Sequence, residues 1–499
     1  MMTPHASRLR RIAAVGGLLA TIALNVGCST NPATGEQSFT AFMSPDEERR
    51  VGKQEHPKMV QQFGGAYDHE AMKVYIRDLG RKLASHSEMP DLPWTFTVLN
   101  DEMVNAFALP GGYVYVTRGL LVMVSDEAEI AGVLSHEIGH VTARHSAQRY
   151  SAAVATNIGL QVLGVLGEAA GIAGAGNVAS VGANLALKSY SRDQELQADE
   201  LGVRYMTRAG YNPDAMATFF EKLRVHQHIE DLERGQDGAS EQHNMLATHP
   251  RTADRIQQAI KLASKNGHQG TTRGAAEFLK VVDGVTFGED PEQGVILGQT
   301  FVHVPLDIRF EVPEGYTLEN LPTLVQAKDK NGNNIKFAHE TKTAVDEAGG
   351  MKEYLTYEWS REMPLSNIDW LDINGMRAVT GTATATLNNA KVDVRRILIE
   401  GRDKRYYWQL QFVTRVSDAD KLNTALRRTT YSFDRPSAAE KTAAQGKHIR
   451  VVNVGAGVTF DDLANSLAVK KYHKEWFEAL NGIGPDDPLI PGAVVKVVK

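Results

Sequence analysis

The residues with the clearest chemical use lie in the pentapeptide His136-Glu137-Ile138-Gly139-His140. Apolar residues recur on both sides of it at intervals of three and four, which predicts a helix. On a helix the two histidines lie one turn apart on one face, so both imidazoles can bind one metal ion. Glu137 lies about 100° around the helix from His136, a position that suits a general base better than a ligand. The stretch therefore carries the H-E-x-x-H zinc signature.

Two acidic residues further along the chain predict the remainder of a metal site. Glu195 and Asp199 are four residues apart, so a helix over this stretch places both carboxylates on one face. A carboxylate ligand, followed one turn later by a carboxylate that hydrogen-bonds a ligating imidazole, is a sound arrangement around zinc. We therefore expect Glu195 to be the third ligand and Asp199 to orient one of the histidines. Without the upstream motif, both would be solvated acids on a polar helix face.

His145 is the competing candidate for the third ligand. It follows His140 by five residues, about 140° further around a helix, and is therefore predicted to point away from the metal. The metzincin spacing would need a histidine at position 146 and a glycine at position 143, where the chain has Ser146 and Ala143. That alternative fails.

Three stretches together resemble a known family. They are the pentapeptide at 136–140, the segment Ser191-Arg192-x-x-Glu195-x-x-Ala198-Asp199 and the segment Asn105-Ala106-Phe107-x-Leu109-Pro110-Gly111-Gly112. These patterns are similar to the HtpX/CAAX-prenyl-endopeptidase type of zinc metallopeptidase, and within it to the exported, BepA-like bacterial branch. The resemblance covers about residues 30 to 265.

This resemblance implies a gluzincin site with one Zn²⁺ per chain, with Glu137 as the base and three ligands: His136, His140 and Glu195. It also picks out a late His-Pro…Arg segment at 246–256. There it implies that His249 either stabilises the oxyanion or takes the fourth zinc position in a latent state. Arg255 is implied to be a structural or electrostatic partner. Considered without the resemblance, a histidine before a proline is more often a loop residue.

Strand-like runs at 95–99, 106–109 and 113–117 precede the pentapeptide. In zinc peptidases the strand that borders the cleft commonly pairs with an extended substrate. We assign that role to five residues: Asn105, Ala106, Phe107, Ala108 and Leu109. An ordinary hairpin explains the same pattern equally well.

The first 27 residues carry the pattern of a signal peptide, because three arginines precede an uncharged apolar run over 12–24 that is too short to span a bilayer. The run ends at Cys28, the only cysteine of the chain. Its context resembles the lipobox of bacterial lipoproteins, although the usual leucine lies one place too early, at Leu24. We expect export to the periplasm, and a lipid on Cys28 that anchors the protein to the membrane. A simple cleaved signal is the alternative. Residues 28–43 are then a polar tether.

A Gly/Ala-rich apolar segment covers residues 152–187 and is interrupted by Glu168. Its composition fits either a hairpin that dips into a membrane or a pair of tightly packed soluble helices. Because large side chains are few and Glu168 is internal, we favour the soluble helices, as a cover over the cleft.

Two further domains are predicted beyond a linker at 263–273. Residues 275–435 contain strand patterns, a hairpin turn at Asn388-Asn389 and a helical stretch, which predict a β-rich α+β domain of unassigned role. Residues 448–499 resemble a LysM domain, the peptidoglycan-binding fold, although Val458 stands where that family usually has an acid. The resemblance implies glycan binding, and some other docking role is the alternative.

The chain as a whole is predicted to be α+β. A mainly helical gluzincin metallopeptidase domain with a small edge sheet covers 44–265, and the two domains above follow it. The 499 residues, 42% of them hydrophobic, are typical of a globular protein of several domains, and the net charge of −6 gives no indication of nucleic-acid binding.

We therefore expect an exported zinc metalloendopeptidase that hydrolyses misfolded or misassembled cell-envelope proteins. Its partners are then polypeptide substrates, the membrane and, through the LysM-like domain, peptidoglycan. One alternative is a non-proteolytic chaperone or assembly factor that holds polypeptide in the same cleft. Another is a peptidoglycan-binding lipoprotein whose metal is structural. Glu137 argues against both alternatives, because neither needs a base beside the metal.

Overall fold

A computed structural model describes residues 28–165, 189–234, 245, 249, 257, 261, 270–387 and 390–499. The predicted signal peptide, Arg255, the turn at Asn388-Asn389 and most of the Gly/Ala-rich segment lie outside the described residues. The chain divides into two compact units. One contains residues 1–60, 66–285 and 448–499, and the other contains 61–65 and 286–447. Both contain helices and strands, so the fold is α+β, as predicted.

The first unit is mainly helical. Its helices are α1 (Pro45–Gln62), α2 (Glu70–Ala84), α3 (Arg118–Met123), α4 (Glu127–Thr142), α5 (His145–Val165), α6 (Arg192–Arg208), α7 (Asp214–Arg234) and α8 (Ala275–Val282). Helix α4 lies among the others: nearly all its side chains are buried, and it packs against α2, α6 and α7. A helix that is buried on nearly every face suits a central position. No helix in the described part of the chain is long and apolar enough to cross a membrane.

An N-terminal hairpin replaces the tether that we expected at 28–43. Strands β1 (Cys28–Thr30) and β2 (Gln37–Phe39) pair antiparallel, with Cys28 opposite Phe39. Asn31 closes the turn: its Oδ1 accepts from the backbone N–H of Ala33 at 2.9 Å, and its N–H donates to the carbonyl of Glu36 at 2.7 Å. An Asx turn of this kind gives a polar, turn-rich segment a defined conformation.

A three-stranded sheet flanks α4. It consists of β3 (Thr95–Leu99), β4 (Ala106–Leu109) and β5 (Tyr113–Thr117), with β5 in the centre, β3 parallel to it and β4 antiparallel. Strand β4 therefore lies at a sheet edge, and it packs against α4. The turn between β4 and β5 contains Gly111 with φ +83°, where a side chain would also meet the backbone of Arg49 at 2.8 Å.

The second unit is built on antiparallel sheets. Its strands are β6 (Thr286–Phe287), β7 (Val295–Leu297), β8 (Thr300–His303), β9 (Ile308–Glu311), β10 (Tyr316–Leu321), β11 (Leu324–Asp329), β12 (Asn334–Thr341), β13 (Ser366–Ile373), β14 (Met376–Leu387), β15 (Ala390–Glu400) and β16 (Tyr406–Arg415). Strands β7 to β9 form a meander, and seven strands form a larger sheet in the order β10-β11-β12-β16-β15-β14-β13. Its helices are α9 (Lys342–Glu347), α10 (Met351–Glu353), followed by a π-helical turn (Tyr354–Glu358), α11 (Ala419–Ser432) and α12 (Ala438–Ala443).

Aromatic side chains fill the core of the second unit, where Phe337 contacts Phe310, Trp408 and Phe433. This unit begins at residue 286, eleven residues later than the predicted domain start at 275. Helix α8 instead belongs to the first unit, because its Phe278 is fully buried and contacts Tyr75 of α2.

The C-terminal residues form strand β17 (Lys447–Asn453), helices α13 (Phe460–Asn465) and α14 (His473–Asn481), and strand β18 (Val494–Val498). Strands β17 and β18 pair antiparallel, and the order of elements is the one predicted for the LysM-like domain. This module belongs to the first unit, where α14 packs against α7.

Candidate metal centre

Helix α4 presents two histidines to one point. Asp126 caps its N-terminus by accepting the backbone N–H of Glu129 at 2.9 Å, and the helix continues unbroken to Thr142. His136 and His140 therefore lie one turn apart, as the spacing predicts. Their Nε2 atoms are 3.0 Å apart, and both rings are buried.

Helix α6 brings a carboxylate to the same point. Ser191 and Gln194 form a capping box that begins this helix, so Glu195 lies in its first turn. The Glu195 carboxylate is fully buried, with Oε1 3.3 Å from Nε2 of His140 and Oε2 3.7 Å from Nε2 of His136.

Small residues let the two helices approach each other. A Cβ on Gly139 would lie 3.0 Å from the carbonyl of Ala198, and a Cβ on Gly202 would lie 3.0 Å from the backbone nitrogen of His136. A larger residue at either position would push α4 and α6 apart and separate the histidines from Glu195.

His249 completes the cluster. Its Nδ1 lies 2.8 Å from Oε1 of Glu195 and 3.4 Å from Nε2 of His136. Its backbone N–H donates to the carbonyl of Met245, whose own N–H donates to the carbonyl of Val104, close to the start of β4. The late histidine is thereby anchored beside the edge strand.

The donor set fits a zinc ion. Three imidazole nitrogens and one carboxylate oxygen, all buried, have ligand atoms within 4.8 Å of one another. A tetrahedral zinc ion with ligands at about 2.0–2.1 Å needs ligand atoms roughly 3.3 Å apart. The separations of 2.8, 3.0, 3.3 and 3.4 Å among these atoms lie close to that requirement.

The protonation states also suit metal binding. Burial lowers the pKa of His140 well below its usual value, which keeps the imidazole neutral. Burial alone would raise the pKa of Glu195, but the imidazoles of His249, His140 and His136 outweigh it and hold that pKa well below the usual range. A neutral imidazole beside an ionised carboxylate is the combination that a metal ligand set needs.

Asp199 lies where the sequence predicts an orienting carboxylate. Its Oδ1 is 2.9 Å from Nδ1 of His136, on the side of the ring that faces away from the cluster. Glu137 is fully buried, and its Oε1 lies 3.7 Å from Nε2 of His249. The predicted base is therefore next to the cluster without belonging to it.

His145 stays outside the cluster, as predicted, but not for the reason that a projection along one helix gives. Helix α4 ends at Thr142, and Arg144 takes a left-handed φ of +55° before α5 begins at His145. The chain reverses there, and Nδ1 of His145 lies 2.8 Å from Nδ1 of His140. A projection along one helix fails because the helix has already ended.

Tyr190 also lies against the centre, a position that was not predicted from the sequence. Its ring stacks on the ring of His140 with centroids 3.7 Å apart, and the guanidinium of Arg149 lies 3.7 Å from the Tyr190 centroid. Tyr190 directly precedes the N-cap Ser191, and the residue at that position commonly packs against the first turn of its helix. Because the first turn of α6 contains Glu195, this rule could have predicted that Tyr190 lies near the candidate ligands.

Strand β4 borders this centre. Ala108 and Leu109 line a narrow cleft together with His140 and Tyr190. The predicted substrate edge strand is thus beside the candidate ligands, whereas Arg255 and most of the predicted cover lie outside the described residues.

A buried H-E-x-x-H helix beside an acidic helix and an edge strand defines the class of H-E-x-x-H metallopeptidase domains. Residues 70–263 match Peptidase family M48, so this part of the chain is similar to that family. The predicted resemblance is thereby confirmed.

Named relatives show the same relationship. The chain is 35% identical over 192 residues to the putative beta-barrel assembly-enhancing protease of Vibrio cholerae serotype O1, covering 37% of this chain and 38% of that protein. It is 33% identical over 199 residues to the beta-barrel assembly-enhancing protease of Escherichia coli K12, covering 38% and 39%. It is 30% identical over 175 residues to the metalloprotease LoiP of the same organism, covering 35% and 65%. The chain thus spans less than half the length of the first two relatives.

Proposed function

We propose that this protein is a zinc metalloendopeptidase that hydrolyses peptide bonds in misfolded or misassembled cell-envelope proteins. The observation that carries the proposal is the convergence of the His136 and His140 imidazoles with the Glu195 carboxylate, beside a buried Glu137. A purely structural metal site has no use for an additional buried carboxylate next to its ligands.

The residues divide the work of peptide hydrolysis. Zinc held by His136, His140 and Glu195 supplies a Lewis acid that polarises a carbonyl group and lowers the pKa of water. Glu137 takes a proton from the attacking water and then donates it to the departing amine. Strand β4 aligns an extended substrate by pairing with its backbone at the sheet edge.

We further propose that His249 keeps the enzyme latent. Its Nδ1 lies within the ligand cluster at 2.8 Å from Glu195, while its Nε2 lies near the carboxylate of Glu137. Of the two roles that the family resemblance implies, this position favours the fourth ligand over the oxyanion donor. A catalytic zinc keeps an open position for substrate or water. His249 must therefore leave before hydrolysis begins.

Binding of a substrate to β4 would release His249 from the cluster. Its backbone N–H donates to the carbonyl of Met245, and the N–H of Met245 donates to the carbonyl of Val104, close to the start of β4. A polypeptide that pairs with β4 disturbs this connection and displaces His249 from the cluster. Latency of this kind restricts cleavage to chains that are extended enough to bind.

The substrate class rests on the relatives, two of which are named beta-barrel assembly-enhancing proteases. Export, periplasmic location and a lipid on Cys28 remain part of the same proposal. Strand β1 begins at Cys28, so a lipid there would place the first unit directly at a membrane surface with no intervening tether.

For the C-terminal module we propose docking within the chain, with peptidoglycan binding as the alternative. The fully buried Lys496 of β18 donates from Nζ to the carbonyls of Val122 and Val124 at the end of α3. Ser125 Oγ donates to the carbonyl of Leu480 in α14. These contacts support a module that is fixed to the peptidase part of the first unit.

The closed cluster also favours one rival, a chaperone that binds polypeptide without cleaving it. The experiment that separates the two compares the parent chain with Glu137→Gln and His249→Ala, measuring zinc content and cleavage of an unfolded reporter protein. We expect about one zinc per chain in the parent and in Glu137→Gln, and cleavage by the parent and His249→Ala only. Zinc binding without cleavage in all three would favour the chaperone, and absence of zinc from all three would refute the metal site.

A further inference from the structure

The ring of His140 has a polar partner on the side that faces away from the metal cluster. Resting on the proposed function, we propose that His145, Gln197 and Glu36 form a positioning relay that holds the His140 imidazole for metal binding. This relay is the counterpart of the direct contact between Asp199 and His136. None of its three members belongs to the cluster itself.

The contacts of the relay follow one another without interruption. Nδ1 of His140 lies 2.8 Å from Nδ1 of His145. Nε2 of His145 lies 2.8 Å from Oε1 of Gln197, and Nε2 of Gln197 donates to Oε2 of Glu36 at 2.9 Å. The chain thus runs from a buried ligand, through a buried histidine and a half-buried amide, to an exposed carboxylate.

The direction of each hydrogen bond is fixed from both ends. The Nε2 atom of His140 must offer its lone pair to a metal, so its Nδ1 carries the hydrogen and donates to His145. His145 then carries its hydrogen on Nε2 and donates to the amide oxygen of Gln197. The amide nitrogen of Gln197 can only donate, and Glu36 can only accept. Every link points outward from the metal, and the relay ends on a carboxylate.

Such an arrangement selects one tautomer and one ring orientation for His140. An outer carboxylate partner commonly does this for a ligating histidine. His136 has such a partner in Asp199, whereas the described partner of His140 at Nδ1 is another imidazole. Gln197 accepts the hydrogen of His145 and donates to Glu36, so the relay ends on a carboxylate, as the contact of His136 with Asp199 does.

The turn of the N-terminal hairpin places Glu36 next to Gln197. Its Asn31 donates from Nδ2 to the carbonyl of Ala143 at 2.5 Å, at the end of α4. The carbonyl of Ala33 accepts from Arg204 of α6 at 3.2 Å. The turn that carries Glu36 is therefore fastened to both helices that provide ligands, and it is part of the support of the metal centre.

The arginine at the chain reversal strengthens this fastening. Arg144 donates to Oε2 of Glu48 at 3.0 Å, to the carbonyl of Met43 at 2.8 Å and to Oγ of Ser29 at 3.3 Å. The reversal that turns His145 toward His140 is thus held by one residue of the hairpin and by two residues that follow it.

The test measures the zinc dissociation constant of the full chain by competition with a chelator, alongside the thermal midpoint of the metal-free protein. We expect Gln197→Leu to weaken zinc binding by about tenfold, and His145→Leu by about 10- to 100-fold, the range typical of outer partners of metal ligands. Gln197→Glu keeps an oxygen acceptor for His145 but loses the N–H that Glu36 accepts, so zinc binding should weaken less than in Gln197→Leu. Gln37→Ala, an exposed change in the same hairpin, is the matched control.

Order within the relay gives a second readout. Gln197 acts on His140 only through His145, so Gln197→Leu should have no additional effect on zinc affinity in the His145→Leu background. Additive losses would overturn the relay. So would an unchanged zinc dissociation constant in Gln197→Leu, measured on a variant whose thermal midpoint shows that it is folded.

The outcomes also separate the relay from the proposed function. If the parent binds no zinc, the metal site itself is refuted. If the parent binds zinc and cleaves, while all relay variants bind zinc like the parent, only the relay is refuted. Cobalt in place of zinc gives a check on geometry, since its visible absorption should change in His145→Leu and remain that of the parent in Gln197→Glu.

Discussion

His249 Nδ1 lies 2.8 Å from Glu195 Oε1, closer to this carboxylate than the nearest nitrogen of His140 at 3.3 Å or of His136 at 3.7 Å. His249, the last of the four residues in the sequence, is thus closer to the carboxylate of Glu195 than either histidine of α4 is. With this contact in place, His249 occupies the fourth position around the candidate metal site. Substrate or water would need that position.

Replacing His249 should release the enzyme from latency. We expect His249→Ala to raise the initial rate of cleavage of an unfolded reporter protein at least several-fold, because the fourth position then opens. Zinc should stay bound through the other three ligands. Loss of cleavage with zinc retained would instead assign His249 to oxyanion stabilisation.

Removing the charge of Asp199 should weaken metal binding. In Asp199→Asn the carboxylate that accepts from Nδ1 of His136 becomes an amide, and we expect the zinc dissociation constant to rise about 10- to 100-fold. Asp193→Asn, an exposed acid in the first turn of the same helix, is the control. Equal effects of the two changes would mean that Asp199 acts through general electrostatics and not through His136.

The C-terminal module should contribute to the stability of the first unit. Lys496→Met leaves the carbonyls of Val122 and Val124 without their buried donor, at a cost of about 1–3 kcal/mol. We expect a lower thermal midpoint and faster proteolysis near residue 447. Lys499→Met removes an exposed lysine that donates to the carbonyl of Ser466 and should change little. A parent-like midpoint for Lys496→Met would argue that the module is only loosely attached.

The second unit should lose stability in mild acid through His303. Burial lowers the pKa of His303 to about 4, and its Nδ1 accepts the backbone N–H of Leu306 at 3.3 Å. The unfolded chain binds a proton at higher pH, so this contribution is complete above the ordinary histidine pKa and is lost as pH falls toward 4. Between pH 7 and pH 5 the loss is about 2 kcal/mol.

A matched variant tests this dependence. His303→Asn keeps an oxygen acceptor for the N–H of Leu306 but does not titrate, so its thermal midpoint should fall less than that of the parent between pH 7 and pH 5. If both chains respond equally, His303 does not determine the acid sensitivity.

Side-chain periodicity predicted the helices and strands whose residues repeat at a regular interval. The spacing of His136 and His140, and of Glu195 and Asp199, needs only a continuous helix on each side, and both helices extend through these residues. The sequence predicted the β-rich character of the second unit for the same reason, since alternation and turn residues are local properties. Strands β14 (Met376–Leu387) and β15 (Ala390–Glu400) lie on either side of the position predicted for a turn.

What the sequence by itself determined is therefore the candidate residues of the centre: His136 and His140 one helical turn apart, Glu137 between them, and Glu195 one turn before Asp199. Tertiary structure alone decided where α4 ends and the chain reverses at Arg144, which turns His145 toward His140. It also decided that residues 28–40 support the centre and that the C-terminal module docks against α7. Helical periodicity predicts direction only within one unbroken helix. Contacts between segments more than a hundred residues apart depend on packing that no local pattern records.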